Sequence, residues 1–177
     1  SFDFTREDPA FLVLNAQNGA IRWDGKALSG HQSLGNGTKV YLYMQPGTRV
    51  RNVGVLKKGK ITGGAAAEGA QASLVLEFAP GEVPVKYGIS FIDVAQARAN
   101  MMRELEGENL ESIKEKGRET WNKALGKIAV EGDCLDEKTV FYTSLYRSYE
   151  RPVNISEDGR YYSPFDKTVH DDHGRPF

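Results

Sequence analysis

The sequence predicts an α+β chain, an antiparallel β-sandwich present in part, followed by a helical linker and one helix of a barrel or bundle. Three observations predict it. Up to Asp93, turn residues recur roughly every eight to twelve positions with short apolar or alternating runs between them, the pattern of a sandwich. At Asp93 the apolar period changes from two to about 3.6. From about Asp136 the helical pattern becomes apolar on most sides, which calls for burial among other helices.

In the first half, an apolar run over 11–14 is ended by 15–19, and a second run over 20–23 is closed by Asp24-Gly25, a dipeptide suited to a tight hairpin. Asn36-Gly37 repeats that signal. The clearest strand follows over 38–44, with Val40, Leu42 and Met44 on one face and Tyr41 and Tyr43 on the other, and it is expected near the sheet centre. Segments 49–56 and 60–62 form the next hairpin across Lys57-Lys58-Gly59. Segments 72–78 and 83–91 form another across Ala79-Pro80-Gly81-Glu82.

Asp93, with Gln96 three residues on, makes a capping box that opens the first helix. Val94, Ala97, Met101, Met102 and Leu105 lie on one stripe, and Gly107 stops the helix; the two methionines read as core filler. A second helix runs from about Leu110 to Leu125, with Ile113, Trp121 and Ala124 on its apolar side and Gly126 as a left-handed C-terminal cap. Ile128 and Val130 make a short strand-like step ended by Gly132. The third helix, from about Asp136 to Glu150, carries Val140, Phe141, Leu145, Tyr146 and Tyr149 and should be buried on most sides. A polar loop is expected over 151–177.

Bulk properties narrow the function. With 177 residues and 40% hydrophobic content, the chain holds one domain or parts of two. Lys plus Arg number 23 against 24 Asp plus Glu, so no net field favours nucleic acid, an anionic membrane or a polycation, and a neutral, sugar-like or peptide-like partner fits as well as any. The single cysteine, Cys134, excludes an internal disulfide and a multi-cysteine zinc site and reads as a small, partly buried hydrophobe. No leader pattern and no apolar run of bilayer length occurs, so the expectation is a soluble chain from which an upstream signal could have been removed. Residues 1–4 alternate like a strand already in progress, and the chain stops at Gly174-Arg175-Pro176-Phe177 with no closing element; the expectation is a piece of something larger.

Several motifs carry possible chemistry. Gly54, Gly59 and Lys60 match the frame of a phosphate-binding loop. That chemistry also needs Ser or Thr next and a helix N-terminus facing the phosphates, whereas Ile61 follows and the context is strand to strand, so a hairpin is expected. Asn36-Gly37-Thr38 and Asn154-Ile155-Ser156 are glycosylation triplets, with Asn36 read more plainly as a turn residue. His31 is a lone loop histidine. His170-Asp171-Asp172-His173 is the one cluster of metal-capable residues, but neighbours in an extended segment point alternately, so no metal site is assigned. Asp133, Asp136 and Glu137 sit where a helix N-terminus favours negative charge. Tyr142, Tyr146, Tyr161 and Tyr162 could stack on sugar, but tyrosine in a buried helix is more often core.

Five segments together resemble glycoside hydrolase family 92: Tyr87-Gly88-Ile89-Ser90-Phe91-Ile92, Gln96-Ala97-Arg98-Ala99-Asn100, Trp121-Asn122-Lys123-Ala124-Leu125-Gly126-Lys127-Ile128, Phe141-Tyr142-Thr143-Ser144-Leu145-Tyr146-Arg147 and Asp158-Gly159-Arg160-Tyr161. The match is close over 87–177 and loose before it. The resemblance implies a β-sandwich over 1–92, a helical linker over 93–132, and over 133–177 the start of an (α/α)6 catalytic barrel, whose first helix is the buried third helix. It implies an inverting, calcium-dependent exo-α-mannosidase that takes terminal α-linked mannose from glycans, in a periplasmic or secreted protein of Bacteroidetes type. The family's acid, base and calcium ligands match no residue here, so the expectation is no catalytic residue, no metal ligand, no assigned substrate-binding residue and an inactive fragment that needs the remainder of its polypeptide. The alternative from another class is a non-catalytic carbohydrate-binding or structural sandwich module.

Overall fold

The computed structural model describes residues 2–4, 8–151 and 153–176. Ser1 and Phe177, the ends of the two terminal motifs, lie outside the described residues. The strands and helices follow in the order β1 (Phe2–Phe4), β2 (Ala10–Trp23), β3 (Leu28–Gly35), β4 (Thr38–Pro46), β5 (Asn52–Lys57), β6 (Lys60–Gly63), β7 (Ala66–Phe78), β8 (Gly81–Val83), β9 (Val85–Ser90), α1 (Val94–Leu105), α2 (Leu110–Leu125), α3 (Leu135–Ser148), β10 (Arg160–Ser163) and β11 (Thr168–Asp171). The expected α+β class holds, with antiparallel sheet first and helices after it.

A seven-stranded antiparallel sheet runs β6-β5-β7-β2-β3-β4-β9, beside the pairs β1-β8 and β10-β11. Its spine is the long β2-β7 ribbon, paired from Ala10↔Phe78 to Arg22↔Ala66. The expected break over 15–19 does not occur. Asn18 at φ 48° and Gly69 at φ 116° bend the ribbon instead. Buried positions move from Ala10 and Ala16 to Gly19 and Ile21, so the alternation slips by one across Asn18. This slip imitates a loop in the sequence while the strand continues. Both halves of the ribbon feed one core: Ala10, Ala16, Leu74, Leu76 and Phe78 from one and Ile21 from the other, joined by Leu28 of β3 and Met44 of β4. At roughly 1.5–3 kcal/mol for each large apolar side chain removed from water, this cluster is the main source of the sheet's stability.

The hairpin signals hold. Asn36 and Gly37, at φ 49° and 79°, join β3 to β4, and Lys58 and Gly59, at φ 49° and 74°, join β5 to β6. Asp24 Oδ1 accepts from the N–H groups of Lys26 and Ala27, both at 2.8 Å, and closes the β2-β3 turn. A strand over 60–63 removes the nucleotide-loop reading of 54–60.

Two sheet expectations need correction. The strand at 38–44 lies second from an edge, and β2 holds the centre. The proposed hairpin of 72–78 with 83–91 does not form, because β9 crosses to pair with β4 from Tyr41↔Ser90 to Pro46↔Val85. Turn residues at 79–82 read the same in either case; what selects the partner is the covering helix α1. Gly88 on β9 faces α1 so closely that an added Cβ would sit 2.2 Å from the carbonyl oxygen of Ala97. Ala97 and Met101 are buried there, and Arg98 lies 5.8 Å from the Tyr43 ring centroid.

The helix bounds read from sequence are close, and four further points need correction. Gly126 ends α2 in the right-handed region, at φ −69° and ψ −2°. The step at 128–130 is not a strand. The third helix is not enclosed: Leu135 and Val140 are 75% and 66% exposed, since α2 covers only one of its sides. The segment 151–177 is not all loop, because 160–163 and 168–171 form the β10-β11 hairpin.

Candidate functional site

The most developed polar assembly joins α1 to the turn before β10. Asp93 Oδ1 accepts from Gln96 N–H at 2.7 Å and starts α1, but the reciprocal half of the capping box is replaced. The Gln96 side chain, buried at 5% exposure, instead donates from Nε2 to Asp158 Oδ2 at 2.6 Å and accepts at Oε1 from Arg160 Nη2 at 2.7 Å. One and two turns further along the same face, Asn100 donates to Glu157 Oε2 at 2.7 Å and to Ile89 O at 2.9 Å, and Arg103 pairs with Asp158. Glu157 Oε1 also accepts from Phe91 N–H at 3.0 Å. Asp158 and Gly159, at φ 52° and 83°, form the tight turn that presents these groups.

Two of the segments singled out in the sequence therefore meet: Gln96 and Asn100 from one, Asp158 and Arg160 from the other. Sequence reasoning missed Glu157 and Arg103 as members. The available signal was the polar stripe Gln96, Asn100 and Arg103 at helical spacing, set off from the apolar stripe of Val94, Ala97, Met101 and Leu105. The far end of α1 is tied to the sheet by Lys86, whose Nζ donates to Leu105 O at 2.7 Å and Glu108 O at 2.8 Å.

The histidine-rich cluster is divided by its strand. His170 stacks on Tyr161 at 5.5 Å, and its Nε2 lies 2.7 Å from Asp166 Oδ2 and 2.9 Å from Thr168 Oγ1. Partial desolvation pushes the Asp166 carboxyl up, but hydrogen bonds from Ser163, His170 and Thr168 together outweigh it and hold it at about 2. Asp171 and Asp172 accept instead from the N–H groups of His173 and Gly174. Among the described residues no three His, Cys, Asp or Glu side chains stand together as a metal cluster.

The other candidates have structural partners. Tyr142 Oη donates to Ile128 O at 3.1 Å, Tyr149 Oη donates to Ala124 O at 3.3 Å, and Tyr146 packs 4.5 Å from the Trp121 ring. Tyr162 Oη reaches Thr38 Oγ1 at 3.4 Å. His31 lies on β3 beside Tyr41, and burial, followed by the charge of Lys39, pushes its pKa down. Asp136 and Glu137 occupy the first turn of α3, and Cys134 is its exposed N-cap residue. Asn154 Oδ1 accepts from Ser156 N–H at 2.8 Å in an Asx turn.

Residues 96–177 match the family model of the glycosyl hydrolase family 92 catalytic domain. Over this stretch, a little under half of the chain, it is similar to family 92. The match begins at Gln96 and takes in Gln96, Asn100, Arg103, Glu157, Asp158 and Arg160 of the joint. Comparison with curated proteins finds no match. Among solved structures, the chain is similar to a family 92 inverting mannosidase from Bacteroides thetaiotaomicron, with 26% identity and a TM-score of 0.83 over 91% of this chain and 24% of that one. It is also similar to a second family 92 alpha-mannosidase of that organism, with 24% identity and a TM-score of 0.84 over 96% of this chain and 26% of that one. That second protein has also been solved in complex with mannoimidazole. The chain thus spans about a quarter of the length of these structures. Its sheet and helices share their fold, a β-sandwich followed by helices.

Proposed function

We propose that this chain is part of an inverting exo-acting α-mannosidase that removes terminal α-linked mannose from glycans. The observation that carries the reading is the family 92 match over 96–177, which coincides with the interlocked α1-to-hairpin joint. The similarity to an inverting mannosidase of the same family supports the stereochemical part. Inversion needs a carboxylic acid at the leaving oxygen and a carboxylate activating water on the opposite face, roughly 6.5–9.5 Å apart. Glu157 and Asp158 do not serve as that pair: both are held by Asn100, Gln96 and Arg103 at the joint.

On this reading 1–92 is sandwich, 93–132 linker, and 133–177 the start of the (α/α)6 catalytic domain. The parent is a periplasmic or secreted glycosidase. On this reading calcium belongs to the parent, with ligands outside these residues; Asp158 and Asp166 are paired with Arg103 and His170, and Asp171 and Asp172 accept from the N–H groups of His173 and Gly174. Among the described residues no helix is long and apolar enough to cross a membrane.

The test is mannose release from an α-mannoside by the 177-residue chain and by the longer polypeptide that carries it, each with and without calcium. Turnover by the longer polypeptide alone supports the reading. Turnover by the 177-residue chain overturns the placement of the catalytic groups.

A further inference from the structure

A cleft of about 790 Å³ lies between the β2-β3 turn and segment 46–53, on the sheet and away from the α1 joint. Its walls are fixed by backbone hydrogen bonds. Trp23 N–H donates to Ala65 O at 2.7 Å, Gly47 N–H to Pro84 O at 2.7 Å, and Arg51 N–H to Glu77 O at 2.8 Å. Thr48 Oγ1 donates to Glu82 O at 3.3 Å. Trp23 is half-buried, packed against the core while lining the cleft.

The charge of this cleft departs from that of the chain. Acidic residues outnumber basic ones over the whole sequence, yet among the described residues Lys26, Arg49 and Arg51 line the cleft and no carboxylate does. Among the described residues none of these three cations makes an ion pair or a side-chain hydrogen bond. The adjacent carboxylate, Asp24, is occupied by the N–H groups of Ala27 and Lys26, which hold its pKa below the usual range. Guanidinium groups bind carboxylate, sulfate and phosphate through paired N–H donors. An indole offers an apolar face that suits the C–H face of a pyranose.

We propose that this cleft binds an acidic sugar residue, one bearing a carboxylate, sulfate or phosphate, with the pyranose on Trp23 and the anionic group on Arg49 and Arg51. The sugar half rests on the family 92 reading; the anion half rests on the charge of the cleft. Lys26 adds longer-range attraction at the rim.

The test is an amide and indole NMR titration of the chain with glucuronate, glucose 6-sulfate, glucose and inorganic sulfate. The expected result is that both acidic sugars move the Trp23 indole N–H and the 49–53 amides, with glucose and inorganic sulfate each binding at least tenfold more weakly. The double variant R49Q/R51Q should weaken the acidic sugars at least tenfold while its other amide shifts stay in place, since both side chains are exposed. Inorganic sulfate binding as tightly as the acidic sugars overturns sugar recognition, and an unchanged affinity in the variant overturns the site. Neither result touches mannose release by the longer polypeptide, which tests the family reading separately.

Discussion

Gln96 on α1 donates to Asp158 at 2.6 Å across 62 positions of sequence, and this bond joins the first helix to the turn before the last hairpin. Because Gln96 is buried, losing one partner leaves an unsatisfied polar group, which costs about 1–3 kcal/mol. Q96A and D158A should each lower the melting temperature by several degrees. A double-mutant cycle should show coupling of about 0.5–3 kcal/mol. Additive losses would mean that the two residues do not act together.

Gly88 and Gly117 make opposite predictions. G88A places a methyl against the Ala97 carbonyl and Met101, so α1 must lift from β9, at a cost of about 1–3 kcal/mol or more. G117A lies on the exposed side of α2 with open space around it and should stabilise that helix by about 0.5–1 kcal/mol. Thermal unfolding of the two variants reads the difference in sign.

The β10-β11 hairpin should respond to acid through Asp166. Its folded pKa of about 2 lies below the ordinary carboxyl value, so its contribution is full above about pH 4 and is lost as pH falls through about 2. Amide exchange at Thr168 and His170 should rise in that window, while β2 and β7 amides stay protected. In D166N the step should disappear.

Trp121 holds α3 to α2 through Tyr146 and Tyr149, at ring distances of 4.5 and 6.2 Å. W121A should remove about 0.5–1.5 kcal/mol of aromatic contact, beyond lost burial, and raise hydrogen exchange in α3 without changing exchange in β7. Equal loosening of both elements would show that the helical pair is not an independent unit.

What was readable in the sequence follows from how local its cause is. The turns at Asn36-Gly37 and Lys58-Gly59 and the start at Asp93 are set by neighbouring residues, and all three stand where expected. The pairing of β9 with β4 is decided by α1 packing on Gly88, which no neighbour on the strand encodes. β2 was misread at Asn18 because one left-handed residue moves the buried face by one position. Residues of the joint were legible as separate motifs, but their meeting was not: Gln96 resembled a capping residue until its side chain turned to Asp158 and Arg160. The third helix stands largely exposed because its apolar circumference states a need for neighbours, and α2 meets only part of it.

The most direct test of the account is the anomer that appears first when the longer polypeptide carrying these residues cleaves an α-mannoside, followed by proton NMR. Inversion predicts β-mannose first, with the α-anomer growing in only by mutarotation. α-Mannose as the first product, or no mannose at all, would contradict the account.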